Sequence, residues 1–114
     1  MRIASIQLEM VDRPKVKNVE HALSVIDRAP PADLILLPEI WPCGFFAFDR
    51  YAADSEPLDG PTVNTFRQKA RERRCHLVMG SLVERNADGL YNTTVFIGPG
   101  GEIIACYRKI HLFG

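Results

Sequence analysis

The chain has 114 residues, with 14 Lys plus Arg against 14 Asp plus Glu, 46% hydrophobic and 25% charged residues, and a formal net charge of zero. That balance excludes a disordered segment and predicts a folded chain with a buried core. It also argues against nucleic acid as main partner, since phosphate binding rests on a basic surplus. No run nears the roughly 18 apolar residues of a membrane span, and the start lacks a long apolar stretch, so neither a membrane nor a secreted protein is expected.

In chain order, Arg2 to Leu8 reads as a short strand. After Pro14, Lys17 to Ala29 reads as an amphipathic helix, with Val19, Ala22, Leu23 and Ile26 at i, i+3, i+4 and i+7 on one face, stopped by Pro30-Pro31. Leu34-Ile35-Leu36-Leu37 is an uninterrupted apolar run of strand length, the pattern of a central strand buried on both faces. Pro38 cannot donate to a ladder, so the strand ends there and Glu39 projects at its carboxyl end. Ile40 to Asp49 is aromatic and irregular, a loop with a packing surface.

Gly60-Pro61 opens a second helix, with Val63, Phe66 and Ala70 on its buried face. Its basic residues Arg67, Lys69, Arg71, Arg73 and Arg74 read as a solvated face that suits the negative end of the helix dipole. Three strands are then predicted, His76 to Val83, Tyr91 to Ile97 and Glu102 to Ile110, with turn chemistry at Asn86-Ala87-Asp88-Gly89 and Pro99-Gly100-Gly101. The order β-α-β-α-β-β-β implies an α/β fold with a partly parallel sheet covered by helices on one face.

Two charged residues fall outside a plain surface pattern. Glu39 follows four apolar residues and a proline at the rim of the sheet, where partial desolvation is expected to raise its pKa toward the range of a general base. Lys109 shares a face with Ile103, Ala105 and Tyr107, while Ile104, Cys106, Arg108 and Ile110 point the other way. Held near a carboxylate, it suits stabilisation of a developing oxyanion. On composition alone, such a Glu and Lys form a surface ion pair far more often than an active site. The cysteines Cys43, Cys75 and Cys106 lack disulfide or zinc spacing and read as buried reduced thiols. No metal or cofactor is implied.

Leu36-Leu37-Pro38-Glu39-Ile40-Trp41-Pro42-Cys43-Gly44-Phe45, with Gly80-Ser81-Leu82-Val83-Glu84, Tyr91-Asn92-Thr93 and Tyr107-Arg108-Lys109-Ile110-His111-Leu112-Phe113, resembles the nitrilase superfamily of carbon–nitrogen hydrolases. Ile3-Ala4-Ser5-Ile6-Gln7 and Gly60-Pro61-Thr62 fit as well, so the resemblance spans the whole chain. It implies a four-layer α-β-β-α sandwich, often dimeric, and a cysteine hydrolase of small amides or nitriles working through a thioester. Glu39 matches the family's general base and Lys109 its lysine. Phe45 matches a usually aromatic position that lines the substrate pocket.

The family nucleophile lies beyond the lysine, and so does a second supporting glutamate, whereas this chain ends five residues after Lys109. Cys43 matches a variable position, Cys106 sits at an odd offset from Lys109 and so faces the opposite side, and Cys75 fills a small buried site. The leading expectation is the amino-terminal part, residues 1–114, of one hydrolase domain, with an exposed sheet face, a cytoplasmic location and a homo-oligomeric full-length form. The competing expectations are a catalytically inactive α/β binding module and, weakest, nucleic-acid binding by the Arg67 to Arg74 helix.

Overall fold

Pro14 and Pro61 place the two long helices. In the computed structural model, which describes residues 1–9, 11–44 and 46–110, α1 (Lys15–Arg28) starts immediately after Pro14, whose carbonyl accepts from the N–H groups of Lys17 and Asn18. Proline lacks only a donor that a first turn leaves unpaired, so the helix begins two residues earlier than the apolar spacing suggested. Between the helices come β2 (Leu34–Leu36), a single 3₁₀ turn at Phe48–Arg50 and a short helix α2 (Tyr51–Asp54) that the sequence reading left within or beyond the aromatic loop.

The helix α3 (Pro61–Arg73) has Pro61 at its first position and buries Val63, Phe66 and Ala70 as expected. Its N-cap is Gly60, which has no side chain to cap with. The cap comes instead from Glu56, whose Oε1 accepts the Thr62 N–H at 2.9 Å and whose Oε2 meets the Thr62 hydroxyl and Lys15 Nζ. A buried carboxylate is tolerable there because the helix terminus and a lysine from α1 both favour its charge. These contacts outweigh desolvation and hold Glu56 below the ordinary carboxylate value.

The strands β1 (Ile3–Ser5), β2, β3 (His76–Val78), β4 (Leu82–Asn86), β5 (Gly89–Ile97) and β6 (Ile103–Arg108) form one sheet, with β1, β2 and β3 parallel and the rest antiparallel. β6 occupies one edge of β5 along Thr93 to Ile97, so β3 and β4 must both lie along the other edge. The stretch read as one strand, His76 to Val83, is thus two collinear strands separated by a bulge. Residues 79–81 stand opposite 94–95, between the pairs Val78↔Phe96 and Leu82↔Thr93. The observed order therefore has four final strands and an extra short helix, where β-α-β-α-β-β-β had three and none. The first strand is also shorter than Arg2 to Leu8.

One face of the sheet is packed. Ile35, Leu77, Val95 and Ile97 are fully buried with Ala22 and Ile26 of α1 and Val63, Phe66 and Ala70 of α3. Along β5 the alternation is strict: Thr93, Val95 and Ile97 are buried, and Asn92, Thr94 and Phe96 are half-exposed. On that second face Leu34 and Leu36 are only half-buried and Ile3 is exposed, so β2 is buried on one side and not on both. The expected exposed sheet face is present among the described residues.

The solvated-face reading of the basic residues Arg67 to Arg74 is corrected for three of them. Arg67 Nε donates to the Gly101 carbonyl at 2.7 Å, Lys69 pairs with Asp27 at 2.7 Å, and Arg73 donates to the Ala29 carbonyl at 2.9 Å. Among the described residues no helix is long and apolar enough to cross a membrane.

Candidate active site

The bulge between β3 and β4 positions Glu39. Gly80, at φ +66°, turns the chain where a Cβ would collide with the Leu37 and Pro38 carbonyl oxygens, so only glycine lets the end of β2 come this close. The next residue clasps the segment on both sides of Glu39. Ser81 N–H donates to the Pro38 carbonyl at 3.3 Å, and Ser81 Oγ accepts from Ile40 N–H at 3.0 Å. Ile40 itself sits at φ +50°, a costly conformation for a β-branched residue and of the kind that gathers at functional sites. The following loop is pinned to the core by Trp41, whose Nε1 donates to the Met79 carbonyl at 2.7 Å and whose ring stacks edge-on against Phe66. From α1, Asn18 Nδ2 donates to the Pro42 carbonyl at 2.9 Å.

Held this way, Glu39 points onto the uncovered face of the sheet. Its Oε1 accepts from Lys109 Nζ at 2.7 Å and from Asn92 Nδ2 at 2.8 Å. Lys109 follows β6 directly and its N–H donates to the Asn92 carbonyl at 2.9 Å, which puts the two side chains next to each other across the strands. The three residues line an open cavity of about 280 Å³ together with Ser81, Thr94 and Tyr107. The side chains of Glu39 and Lys109 remain 43% and 37% exposed.

Two residues singled out in the sequence, seventy positions apart, are thus in direct contact (109 − 39 = 70). The expected upward shift of Glu39 is corrected: the Lys109 hydrogen bond, helped by Asn92, outweighs desolvation and holds the carboxyl below its ordinary value. It is ionised at neutral pH. Phe45, the expected pocket aromatic, lies outside the described residues. Neither Asn92 nor Tyr51 was singled out. Tyr51 of α2 packs against the buried cluster of Ile40, Cys43 and Val83, and burial raises its phenol above the ordinary value. Asn92 carried a signal, its place in Tyr91-Asn92-Thr93, but no role.

Cys43 and Cys75 are buried free thiols as expected, and Cys106 is a free thiol that is not buried. Cys43 is buried and pushed up to about 12, chiefly by desolvation and then by Asp54, so it is not a thiolate near neutral pH. Cys75 is buried and raised for the same first reason. Cys106 is exposed rather than buried, and pairs with Val95 on the helix-facing side, opposite Lys109.

A second carboxylate cluster lies on that same side. Glu84, with a 4% exposed side chain, accepts from Thr93 Oγ1 at 2.7 Å and from Arg108 through Nε at 2.8 Å and Nη2 at 2.7 Å. The Arg108 guanidinium lies 4.6 Å from the centre of the Tyr91 ring. Among the described residues no three His, Cys, Asp or Glu side chains gather as a metal site would require.

The carbon–nitrogen hydrolase family model matches residues 2–114. Among curated proteins, the chain is 39% identical over 116 residues to omega-amidase NIT2 of Homo sapiens, covering 98% of this chain and 41% of that protein. It is 34% identical over 110 residues to the chloroplastic omega-amidase of Arabidopsis thaliana, covering 90% and 30%. Among solved structures it is similar to XC1258 from Xanthomonas campestris, a CN-hydrolase superfamily protein, with a TM-score of 0.87 and 27% identity over 98% of this chain and 41% of that one. Saccharomyces cerevisiae Nit3, of branch 10 of the nitrilase superfamily, gives a TM-score of 0.85 at 25% identity over 97% and 44%. The chain spans about two fifths of the length of most of these relatives.

Proposed function

The chain belongs to the carbon–nitrogen hydrolase family, and from that premise we propose that residues 1–114 are the amino-terminal part of an amidase-like hydrolase domain with Glu39 as general base and Lys109 as stabilising cation. The observation that carries this reading is the 2.7 Å contact between Glu39 and Lys109 in an open cavity, just beyond the ends of β2 and β6. In this reading a second sheet, supplied by chain outside the 114 residues, covers the half-exposed face and completes a four-layer sandwich. The same outside chain supplies the nucleophilic cysteine.

The chemistry follows from the charges present. Glu39, ionised, takes the proton of the cysteine thiol, and the thiolate attacks the amide carbon. The carbonyl oxygen becomes an oxyanion beside the Lys109 ammonium. Collapse breaks the carbon–nitrogen bond, the amine or ammonia leaves with the proton that Glu39 held, and a thioester remains. Water then adds, Glu39 removes its proton, and the acid and free thiol are released. The similarity to omega-amidases supports a small carboxamide as substrate; we further propose Phe45 as a wall of its pocket and a cytoplasmic, homo-oligomeric full-length form.

In the full-length protein that carries this chain, Glu39→Gln and Lys109→Met are each expected to lower kcat for release of ammonia from small carboxamides by about 10²-fold or more. Activity near the parent level in Glu39→Gln overturns the reading. Ligand binding without turnover in the parent protein, unchanged by both substitutions, favours the inactive binding module instead.

A further inference from the structure

Asn92 Nδ2 and Lys109 Nζ donate to the same oxygen of Glu39, Oε1, at 2.8 Å and 2.7 Å. A carboxylate oxygen offers two in-plane lone pairs, so these two donors fill Oε1. Among the described residues Oε2 carries no hydrogen bond. Lys109 alone would not fix this arrangement, because an ammonium on a flexible stem is a point charge that follows either oxygen. Asn92 differs. Its side chain is short, it projects from the middle of β5 beside the cavity, and its backbone carbonyl receives the Lys109 N–H at 2.9 Å, so the strand pairing that places Lys109 also places the amide.

We propose that Asn92 is a positioning residue which, by sharing Oε1 with Lys109, locks the Glu39 carboxylate so that Oε2 is the oxygen that accepts and returns the proton. The proposal rests on the reading of Glu39 as general base. It assigns Asn92 no contact with the reacting atoms; its effect passes through the carboxylate. Among the described residues the ionisable groups around Glu39 are Lys109 beside β6, Tyr107 of β6, which lines the same cavity, and Tyr51 on α2, and of these Lys109 alone bonds it directly. Removing a donor to the charged form makes that form less favourable, so loss of Asn92 raises the Glu39 pKa.

The test uses the full-length protein that carries this chain, with Asn92→Ala, the isosteric Asn92→Asp, and Glu39→Gln as reference. Asn92→Ala is expected to lower kcat about tenfold with KM within about twofold, and to move the acid limb of the pH profile of kcat/KM upward by roughly half a unit to one unit. Asn92→Asp, which sets a like charge beside Glu39, moves it further up. The Glu39 carboxyl carbon, followed by 13C NMR titration, shows the same displacement whether or not turnover is measurable. If Asn92→Ala does not fold, Asn92→Asp carries the same measurement. An acid limb and a carboxyl midpoint unchanged in the folded variant, while Glu39→Gln is inactive, overturn the role of Asn92 alone. Activity surviving in Glu39→Gln overturns the reading beneath it.

Discussion

Glu39 and Glu84 are held by neighbouring residues of the same two strands, in opposite directions. β5 gives Thr93 to Glu84 and Asn92 to Glu39; the end of β6 gives Arg108 to Glu84 and Lys109 to Glu39. Both carboxyls lie below the ordinary value, and for both the largest cause is the hydrogen bond from the cation. The chemistry of the partners separates them. Arg108 grips both oxygens of Glu84 in a planar fork, Thr93 adds a third bond, and the side chain is 4% exposed. Such a carboxylate has no oxygen to spare for a proton. Glu39 meets a point charge and an amide on a single oxygen and is 43% exposed beside a cavity. Of the two perturbed carboxylates, Glu39 alone keeps an oxygen without a donor among the described residues.

The contrast can be broken most forcefully at Gly80. Gly80→Ala puts a Cβ against the Leu37 and Pro38 carbonyls at φ +66°, and is expected to destabilise the protein by about 2 kcal/mol or more in denaturant unfolding while disturbing Glu39 before Glu84. Exchanging the cations is the next largest perturbation. Lys109→Arg turns the partner of Glu39 into a fork that reaches both oxygens, and kcat is expected to fall by about tenfold to hundredfold although charge is conserved. Arg108→Lys, one position earlier, is expected to lower thermal stability with kcat little changed. Equal effects of the two substitutions on kcat would erase the distinction.

A milder test uses acid. Glu39, Glu56 and Glu84 all have folded values below the ordinary 4.5. As pH falls below 4.5 the unfolded chain takes up protons that these folded carboxylates still refuse, so their stabilisation, complete above that range, is lost on the way down. Stability measured by urea unfolding should be flat near neutrality and decline as pH drops through the lowered values. Glu84→Gln should make that decline shallower, and Glu39→Gln should alter it least, because its exposed pair is screened by solvent. Ser81→Ala is expected to have the smallest effect, about 1 kcal/mol, through the lost Ile40 hydrogen bond.

Much of this arrangement is legible in the sequence where period and punctuation act locally. The run Leu34 to Leu37 ended by Pro38 places Glu39 at a strand end, and simple alternation puts Arg108 and Lys109 on opposite faces. What escapes is set by pairing between distant segments. Asn92 becomes a partner of Glu39 only through the β2–β3–β5 pairing, and a neighbour of Lys109 only through the β5–β6 ladder, whose register shifts between Phe96 and Ile97. Glu56 caps a helix from beyond its first turn, outside the short capping pattern that sequence reading looks for. The division of His76 to Val83 depends on a bulge that Gly80 permits but does not announce. The expected rise of the Glu39 pKa failed for a related reason: burial can be guessed from a rim position, whereas an ammonium at 2.7 Å cannot.

The contact between Arg67 and Gly101 has a consequence for how the site is counted out along the chain. Arg108 and Lys109 are consecutive, so one residue added to or removed from the turn at 98–102 would change the phase of β6 and offer each carboxylate the wrong cation. That turn is closed by the Gly101 N–H on the Gly98 carbonyl at 2.9 Å and the Gly98 N–H on the Glu102 carbonyl at 2.8 Å, and α3 clamps it through Arg67 at 2.7 Å. A helix on the far side of the sheet thus acts as an index stop. It fixes which of two adjacent cations reaches Glu39, without approaching it.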